Sequence, residues 1–362
     1  MFYIHQTACI SPQQTFSGTE IDLSREYESA NNRMKALEPA YPGIPDNILR
    51  RMAKAVRMGV GTALPLIRAT GGKLPEGIII GTANGGMEES VKFLKQIVEY
   101  NEEMLTPGNF VQSIPNAISS QISLLSKNKN YNATHVHRGL AFEHAALDAA
   151  MQVNQHPGSW YLVGGVDEMA SFHYNLEYLK GSYKIEGISN KRLYETDTPG
   201  SLAGEGGALF LVNGLKDQAL ARLQALVTFH SEEEGAVTDR LRSFLERHLA
   251  SGGSAPDLFL TGENGDNRFS HFYAGCEAIV GSAILVARYK HVCGEYPTAS
   301  AFGLWLACQL VGGMPLPGHM IKRAGAAVAA DKEATKAPYK TILFYNNYKG
   351  LQHSFMLVTS PL

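Results

Sequence analysis

The sequence has few cysteines and no long run of charge of one sign. Its four cysteines, Cys9, Cys276, Cys293 and Cys308, stand at wide and irregular spacing. This spacing fits neither a disulfide framework nor a paired CxxC metal site, and it is typical of a reducing compartment such as the cytosol. The 32 basic and 34 acidic side chains are spread along the chain and give a formal net charge of −2. A nucleic acid partner is therefore not expected.

Long apolar segments are also missing. No stretch offers the roughly 20 uninterrupted apolar residues that a membrane helix requires. We expect neither a signal peptide nor a membrane partner, because the start of the chain (MFYIHQTACISP) lacks a basic region and a sustained apolar region. With 362 residues, 44% of them hydrophobic, the chain is long enough to bury a large core as two ordinary domains or as one duplicated α/β unit.

Helical periodicity alternates with short apolar runs that end in glycine-rich turns, and this alternation predicts an α/β fold around buried sheets. The predicted helices are 47–69, 87–100, one after Pro115, 139–153 and 298–311, and the predicted strands are 77–82, 132–137, 160–166, 208–212 and 258–261. The second half repeats the order of strands and helices of the first half, as a duplicated fold would, although the sequence similarity between the halves is weak. We place the seam near 213–219, which gives halves 1–215 and 216–362, and we interpret 170–200 as an excursion or dimer-contact loop.

The predicted helix 139–153 has an unusual composition. Its polar residues Glu143, His144, Asp148 and Gln152 recur every three to four positions and fill one narrow stripe, while the rest are small or apolar. Such a helix is expected to be almost wholly buried. A helix enclosed between two sheets has this pattern.

Five short motifs occur in an order that resembles the beta-ketoacyl-ACP synthases of the thiolase superfamily. They are Arg50 to Met52 (RRM), Gly81 to Gly86 (GTANGG), Pro107 to Ala117 (PGNFVQSIPNA), Tyr161 to Glu168 (YLVGGVDE) and Gly204 to Ala208 (GEGGA). The resemblance covers nearly the whole chain. It implies a duplicated thiolase-like fold, layered αβαβα, in which mixed sheets surround buried central helices and the two halves form one compact unit.

The residues that carry the chemistry of this family are missing from the matching positions. The family nucleophile is a cysteine three residues before a helix-opening glycine, and here that position, counted from Gly139, is Val136. The first family histidine belongs near Gly262, where only Asp266 matches. The second follows a lysine, and here Lys290 is kept but Glu295 replaces the histidine.

The gating loop of the family is rich in glycine, whereas the matching segment Tyr345 to Ser354 (YNNYKGLQHS) keeps one glycine and contains His353. Without the nucleophile the covalent step of condensation is lost. The resemblance therefore implies a non-condensing ketosynthase-like subunit of fatty-acid or polyketide-type biosynthesis, in the role of a chain-length factor. It also implies a dimer, with itself or with an active ketosynthase, and an acyl carrier protein as a further partner. No cofactor is expected.

Two alternatives assign chemistry to other residues. Cys293, with His291 and Glu295 nearby, could be a relocated nucleophile of an acyltransferase or thioester hydrolase, although a buried cysteine acting as a small hydrophobic residue is the simpler interpretation. His135 and His137 face the same side of a predicted strand and could bind a metal with Glu143 or His271. We favour satisfied polar groups there and assign no metal.

One ion pair is predicted at the same turn. Arg138 and Glu143 are five residues apart where the strand passes into the buried helix. A buried pair between them would lock this turn and leave the start of the helix without a substrate.

Overall fold

The structure is a computed structural model that describes residues 1–16, 20–29, 31–249, 255–325 and 339–361. The strands are β1 Phe2–Ile10, β2 Glu28–Ser29, β3 Gly77–Gly81, β4 Tyr131–His135, β5 Tyr161–Asp167, β6 Ile188–Ser189, β7 Gly206–Asn213, β8 Ala221–His230, β9 Leu258–Thr261, β10 Leu285–Arg288, β11 Ile321–Arg323, β12 Thr341–Tyr348 and β13 Gln352–Thr359. The α-helices are α1 Asp46–Leu49, α2 Lys54–Ala69, α3 Met87–Glu99, α4 Pro107–Ser113, α5 Ala117–Ser126, α6 Ala141–Gln155, α7 Ser171–Leu179, α8 Glu234–Leu249, α9 Ser270–Val280, α10 Lys290–Cys293 and α11 Ala299–Val311.

Eleven of the described strands hydrogen-bond in one continuous order, β11-β10-β9-β12-β13-β8-β1-β7-β5-β3-β4. Parallel pairs join β3 to β4 and β5 in the first half, and β9 to β10 and β12 in the second. Antiparallel strands lie between these two parallel groups. The central strand β1 pairs with β7 on one side and with β8 on the other, so it connects the two halves. Strand β4 lies at one end of this order.

The helices form layers on both faces of each half. One buried cluster joins α6 and α11 to the inner faces of both halves, with Phe142, Phe210, Phe302 and Phe344 among its members. A second cluster packs α2 and α5 on the outer face of the first half, and a third packs α8 and α9 on the outer face of the second. Successive residues of the strands alternate between these clusters. The layers therefore follow the αβαβα order, and the predicted α/β fold class is confirmed.

The central helices differ in how far they are buried. All residues of α11 except Gln309 are buried, whereas the last turn of α6 exposes Met151, Asn154 and Gln155. The expectation that the helix at 139–153 is almost wholly buried therefore holds for residues 139–150. The segment 170–200 contains α7, β6 and a 3₁₀ helix at Asn190–Glu195, and its short strand β6 pairs with β2.

The helix predicted over 47–69 is two helices in the structure. The break falls between α1 and α2, where the side chain of Gln112 accepts a hydrogen bond from the backbone N–H of Ala53 and donates one to the carbonyl of Arg51. A residue distant in sequence therefore holds the backbone groups that would continue the helix.

Among the described residues, no helix is both long and apolar enough to span a membrane.

Candidate functional site

The turn between β4 and α6 contains Val136, the residue that the resemblance predicts at the position of the nucleophile. Val136 lies there with its side chain 52% exposed, and it has no nucleophilic atom. Arg138 adopts a left-handed conformation with φ of 48°, which is uncommon for a residue other than glycine and marks a tight turn. The chain then enters a short 3₁₀ helix at Arg138–Leu140 before α6 begins. The turn is therefore built as a strand-to-helix connection but lacks the reactive group.

Tyr348 and Gln352 hold this turn from the second half of the chain. The backbone N–H of Gly139 donates a hydrogen bond of 2.9 Å to Oε1 of Gln352. A Cβ atom at Gly139 would lie 2.3 Å from the Cβ of Tyr348, so only glycine allows Tyr348 to pack this closely. Burial raises the pKa of the Tyr348 hydroxyl well above its ordinary value, so the hydroxyl is neutral. Tyr348 belongs to the segment that was expected to act as a gate.

Lys290 and Glu295, where the resemblance predicts the second family histidine, form a buried ion pair. Nζ of Lys290 lies 2.7 Å from Oε1 of Glu295, and Lys290 is only 1% exposed. Asn264 donates a second hydrogen bond of 2.8 Å to Oε2 of Glu295. An imidazole there could donate to a developing negative charge, whereas this carboxylate only accepts hydrogen bonds and would repel such a charge.

The loop after β9 replaces the segment of the first family histidine. Asp266 accepts hydrogen bonds from the backbone N–H and the guanidinium of Arg268, with the backbone bond at 3.2 Å. It therefore caps the short 3₁₀ helix at Asn267–Phe269. The backbone N–H of Gly262 donates to the carbonyl of Tyr345 at 2.8 Å and joins this loop to β12. Both residues serve the local structure.

The predicted ion pair between Arg138 and Glu143 is wrong. Arg138 is exposed, while Glu143 is fully buried and accepts a hydrogen bond of 2.8 Å from the hydroxyl of Ser354. Burial raises the pKa of Glu143 to about 7, and Lys290 partly opposes this shift. The local spacing of the two residues suggested a pair, but the side chain of Glu143 points into the core between the halves.

Cys293 and His291 are both buried and have separate partners. The thiol of Cys293 donates to the carbonyl of Gly294 at 3.2 Å, and burial raises its pKa well above the ordinary value. The imidazole of His291 hydrogen-bonds to His319 at 2.9 Å, and burial lowers its pKa to about 3. Neither feature activates a thiol, because a reactive cysteine needs a lowered pKa and a neighbouring base.

His353 also has structural partners. Its Nε2–H donates to the carbonyl of Ser231 at 2.8 Å, and its Nδ1 accepts from the hydroxyl of Tyr345 at 2.9 Å. Burial lowers the pKa of His353 to about 4, so the ring is neutral at neutral pH. Its hydrogen bonds tie together β8, β12 and β13.

The histidines of β4 lie among other polar groups rather than in a metal site. Nε2 of His135 lies 2.8 Å from Oδ2 of Asp148, and the hydroxyl of Tyr131 donates to the same oxygen at 3.0 Å. His137 stacks on His144 with ring centroids 4.3 Å apart. Within the described residues, no group of three or more His, Cys, Asp or Glu side chains could hold a metal ion. The sequence places His144 only in the polar stripe of its helix and does not single out His230, because the folded chain is needed to bring both to His137.

A cavity of about 250 Å³ lies against α7, the loop after β9 and the ion pair at Glu295. Asn264, Glu295 and Tyr348 line it, whereas Val136 does not. A second, more open groove of about 740 Å³ lies at the start of α2 and α3, where it is lined by Arg50, Arg51, Lys54, Arg57 and Lys92 together with acidic residues. The cavity thus lies beside the ion pair at Glu295 and is not lined by Val136.

The layered fold, with its buried central helices, is similar to that of solved ketosynthases. The family described as beta-ketoacyl synthase, N-terminal domain, matches residues 25–178. Among curated proteins, none matches the sequence.

Solved structures of ketosynthases share this fold. A beta-ketoacyl synthase from Burkholderia phymatum STM815 is 14% identical, with 99% of each chain covered and a TM-score of 0.76. The ishigamide ketosynthase/chain length factor is 14% identical over 99% of this chain and 98% of that chain, with a TM-score of 0.75. The ketosynthase ApeO in complex with its chain length factor ApeC, from Xenorhabdus doucetiae, has the same identity and coverage and a TM-score of 0.72. The protein thus shares the fold of these ketosynthases, and its residues 25–178 match the N-terminal domain of the beta-ketoacyl synthases.

Proposed function

We propose that this protein is a non-condensing ketosynthase-like subunit that pairs with an active beta-ketoacyl synthase in fatty-acid or polyketide-type biosynthesis, in the role of a chain-length factor. The observation that carries the proposal is the ketosynthase scaffold with Val136 at the nucleophile position and the ion pair of Lys290 with Glu295 at a histidine position. We also propose that it works in the cytosol, since its four free cysteines suit a reducing compartment.

The chemistry of condensation explains why these substitutions matter. The acyl group must first move from a carrier thioester to a thiolate of the enzyme, and Val136 offers no atom for that bond. Decarboxylation of the malonyl group then leaves an enolate, whose negative charge needs hydrogen-bond donors nearby. Glu295 already accepts hydrogen bonds from Lys290 and Asn264 and has no proton to give.

The edge strand β4 offers a surface for the partner. In the described sheet β4 pairs only with β3, which leaves its other backbone edge open to another strand. Large apolar side chains are exposed on and near this edge, among them Leu124, Tyr131, Val136 and Met151. A strand from a partner could add to this edge and cover these side chains. Two of the similar structures, the ishigamide ketosynthase/chain length factor and ApeO with ApeC, pair a ketosynthase with a chain length factor, which supports a ketosynthase as that partner.

The open groove at the start of α2 and α3 suits an acidic partner such as an acyl carrier protein. Arg50 and Arg51 line it and are exposed, and their side chains have no ion pair within the described part of the chain. The other basic residues of the groove are already in ion pairs, which join Lys54 to Glu205, Arg57 to Glu38 and Lys92 to Glu89. Two free guanidinium groups can bind phosphate or carboxylate groups in a bidentate manner.

Acyl transfer is tested by the intact mass of the purified protein after exposure to short and medium acyl thioesters of carrier protein and coenzyme A. We expect no mass increase under conditions in which an active beta-ketoacyl synthase is fully acylated. A stable adduct would refute the proposal, and Cys293→Ala would then show whether Cys293 carries it.

Pairing is tested by co-expressing the chain with each beta-ketoacyl synthase of the same cell and measuring the complex by light scattering after gel filtration. We expect a 1:1 complex that is lost in Tyr131→Glu. Ile185→Lys is the matched control, because Ile185 is also exposed but lies away from β4. A complex that survives Tyr131→Glu as well as Ile185→Lys would exclude the β4 edge.

A further inference from the structure

Four histidines meet beside the open edge of β4, and we call them the histidine cluster: His135, His137, His144 and His230. They come from β4 and the following turn, from α6 and from the end of β8. The ring of His137 stacks on His144 at 4.3 Å and meets the ring of His230 edge-on at 5.5 Å. Four groups that can each take up a proton are therefore concentrated where a partner strand would add.

The hydrogen bonds of Gln352 place an N–H donor against one ring nitrogen of His230. The backbone N–H of Gly139 can only donate, so the atom of Gln352 that faces it is the amide oxygen. The amide NH₂ group of Gln352 therefore faces Nε2 of His230 at 3.2 Å, and this nitrogen must accept. A proton on Nε2 would place two donors against each other and would disturb the link between β13 and the turn at Gly139.

The surroundings of His137 and His144 also favour the neutral rings. Nε2 of His137 is buried and has no hydrogen-bond partner among the described residues. Desolvation lowers the pKa of both His137 and His144, and the neighbouring histidines of the cluster lower it further. The nearest carboxylate, Asp148, is already bonded to His135 and Tyr131. Arg138, next to His137, is exposed and adds positive charge to the same turn.

We propose that the histidine cluster makes docking along β4 dependent on pH, so that the partner binds when the rings are neutral and is released when they take up protons. This inference rests on the proposed function, because it concerns the same partner surface. A strand added to β4 would remove more water from His135 and His137, which are both partly exposed. Removing water disfavours a charged imidazole further, so binding and protonation oppose each other.

The direction of the pH dependence follows from the linkage between protonation and partner binding. The pKa of His137 and of His144 is lowered in the folded chain, so protons bind to these rings only below the ordinary value of 6.5. Binding should therefore be unaffected above pH 7 and should weaken as the pH falls below 6.5. Each histidine that must be neutral in the complex can weaken binding by about tenfold for each pH unit below its pKa in the free chain.

The test measures the dissociation constant of the complex with the co-expressed beta-ketoacyl synthase between pH 7.5 and 5.5. We expect at least a tenfold increase for the natural chain and less than a threefold increase for the double variant His137→Asn with His144→Gln. His271→Gln is the matched control, since His271 is an exposed histidine outside the cluster, and it should keep the tenfold change.

A second measurement does not need the partner. In the isolated chain with labelled histidines, nuclear magnetic resonance should show His137 and His144 titrating below pH 6.5, and His271 should serve as the internal reference. Tight binding at pH 7.5 that is unchanged at pH 5.5 would overturn the inference and leave the proposed function intact. Titration of His137 and His144 above pH 6.5 would also overturn the inference. Failure to bind at any pH would overturn the proposed pairing itself.

Discussion

The ion pair between Lys290 and Glu295 gives a prediction whose size can be worked out from its burial. Replacing one partner of a buried pair leaves a charge without compensation and costs about 3–5 kcal/mol. Lys290 is 1% exposed, and Glu295 is the carboxylate bonded to it. We therefore expect Glu295→Gln to lower the free energy of unfolding by about 3 kcal/mol at pH 6. Glutamine keeps the shape of the side chain and can keep its bond from Asn264, but its NH₂ group then faces Nζ of Lys290, so both the charge and the acceptor for Lys290 are lost.

The pH of the measurement matters because the carboxyl of Glu143, when ionised, also interacts electrostatically with Lys290. With a pKa of about 7, Glu143 is mostly neutral at pH 6 and cannot replace the lost charge. At pH 8 it is mostly ionised, and the cost of Glu295→Gln should become smaller. Urea unfolding followed by circular dichroism measures both values, and the slope of the transition shows whether the unfolding reaction has stayed the same.

Two further variants serve as controls for this prediction. Glu195→Gln removes one partner of an exposed pair, since Arg192 and Glu195 are 68% and 62% exposed, and should change stability by less than about 1 kcal/mol. The double variant Lys290→Met with Glu295→Gln removes both charges and should recover most of the loss. A change below 1 kcal/mol in Glu295→Gln at pH 6, or no recovery in the double variant, would refute the idea of a buried charge that requires its partner.

Three more predictions concern the turn and the buried acids and thiols. Gly139→Ala should destabilise the fold by about 1–3 kcal/mol in urea unfolding, because its Cβ would lie 2.3 Å from both Cβ and Cγ of Tyr348. Tyr348→Gly removes both atoms, so Gly139→Ala should cost much less in the Tyr348→Gly background if the clash is the cause. The free energy of unfolding should fall by up to about 3 kcal/mol between pH 4.5 and 7, because the carboxyl of Glu143 loses its proton at lower pH in the unfolded chain than in the folded chain. Glu143→Gln should remove this pH-dependent contribution, and an unchanged pH profile in that variant would contradict the raised pKa. All four cysteines are buried, so thiol reagents should react with them only when the chain unfolds, and labelling of the native protein should be slow. Rapid labelling of Cys293 in the native protein would contradict its burial.

Local pattern was enough to predict the elements that are buried along their whole length. The strand at Leu258–Thr261 was predicted with its observed bounds, because a short apolar run followed by glycine determines it without help from distant residues. The helix predicted over 298–311 begins one residue later than expected. The fold class followed from the same alternation of strands and helices together with the family resemblance.

Contacts between distant residues explain what the pattern could not predict. The break between α1 and α2 depends on Gln112, and the partner of Glu143 is Ser354, which is 211 residues away. The positions of Val136 and Glu295 could be found by counting from glycine and lysine, but the buried ion pair and its bond from Asn264 required the folded chain. The role of Tyr348 against Gly139 likewise depends on two segments from opposite ends of the sequence.

The position of β1 has a consequence for how the chain is made. Tyr3 pairs with Asn213, and Phe2 pairs with Leu223, so strand β1 finds its partners only after about two hundred more residues have been synthesised. At roughly 5–20 residues per second, this strand waits on the order of 10–40 s with its apolar side chains unpaired. During that time neither half can complete its sheet, so the newly made chain depends on chaperones or on slow translation more than its finished stability would suggest.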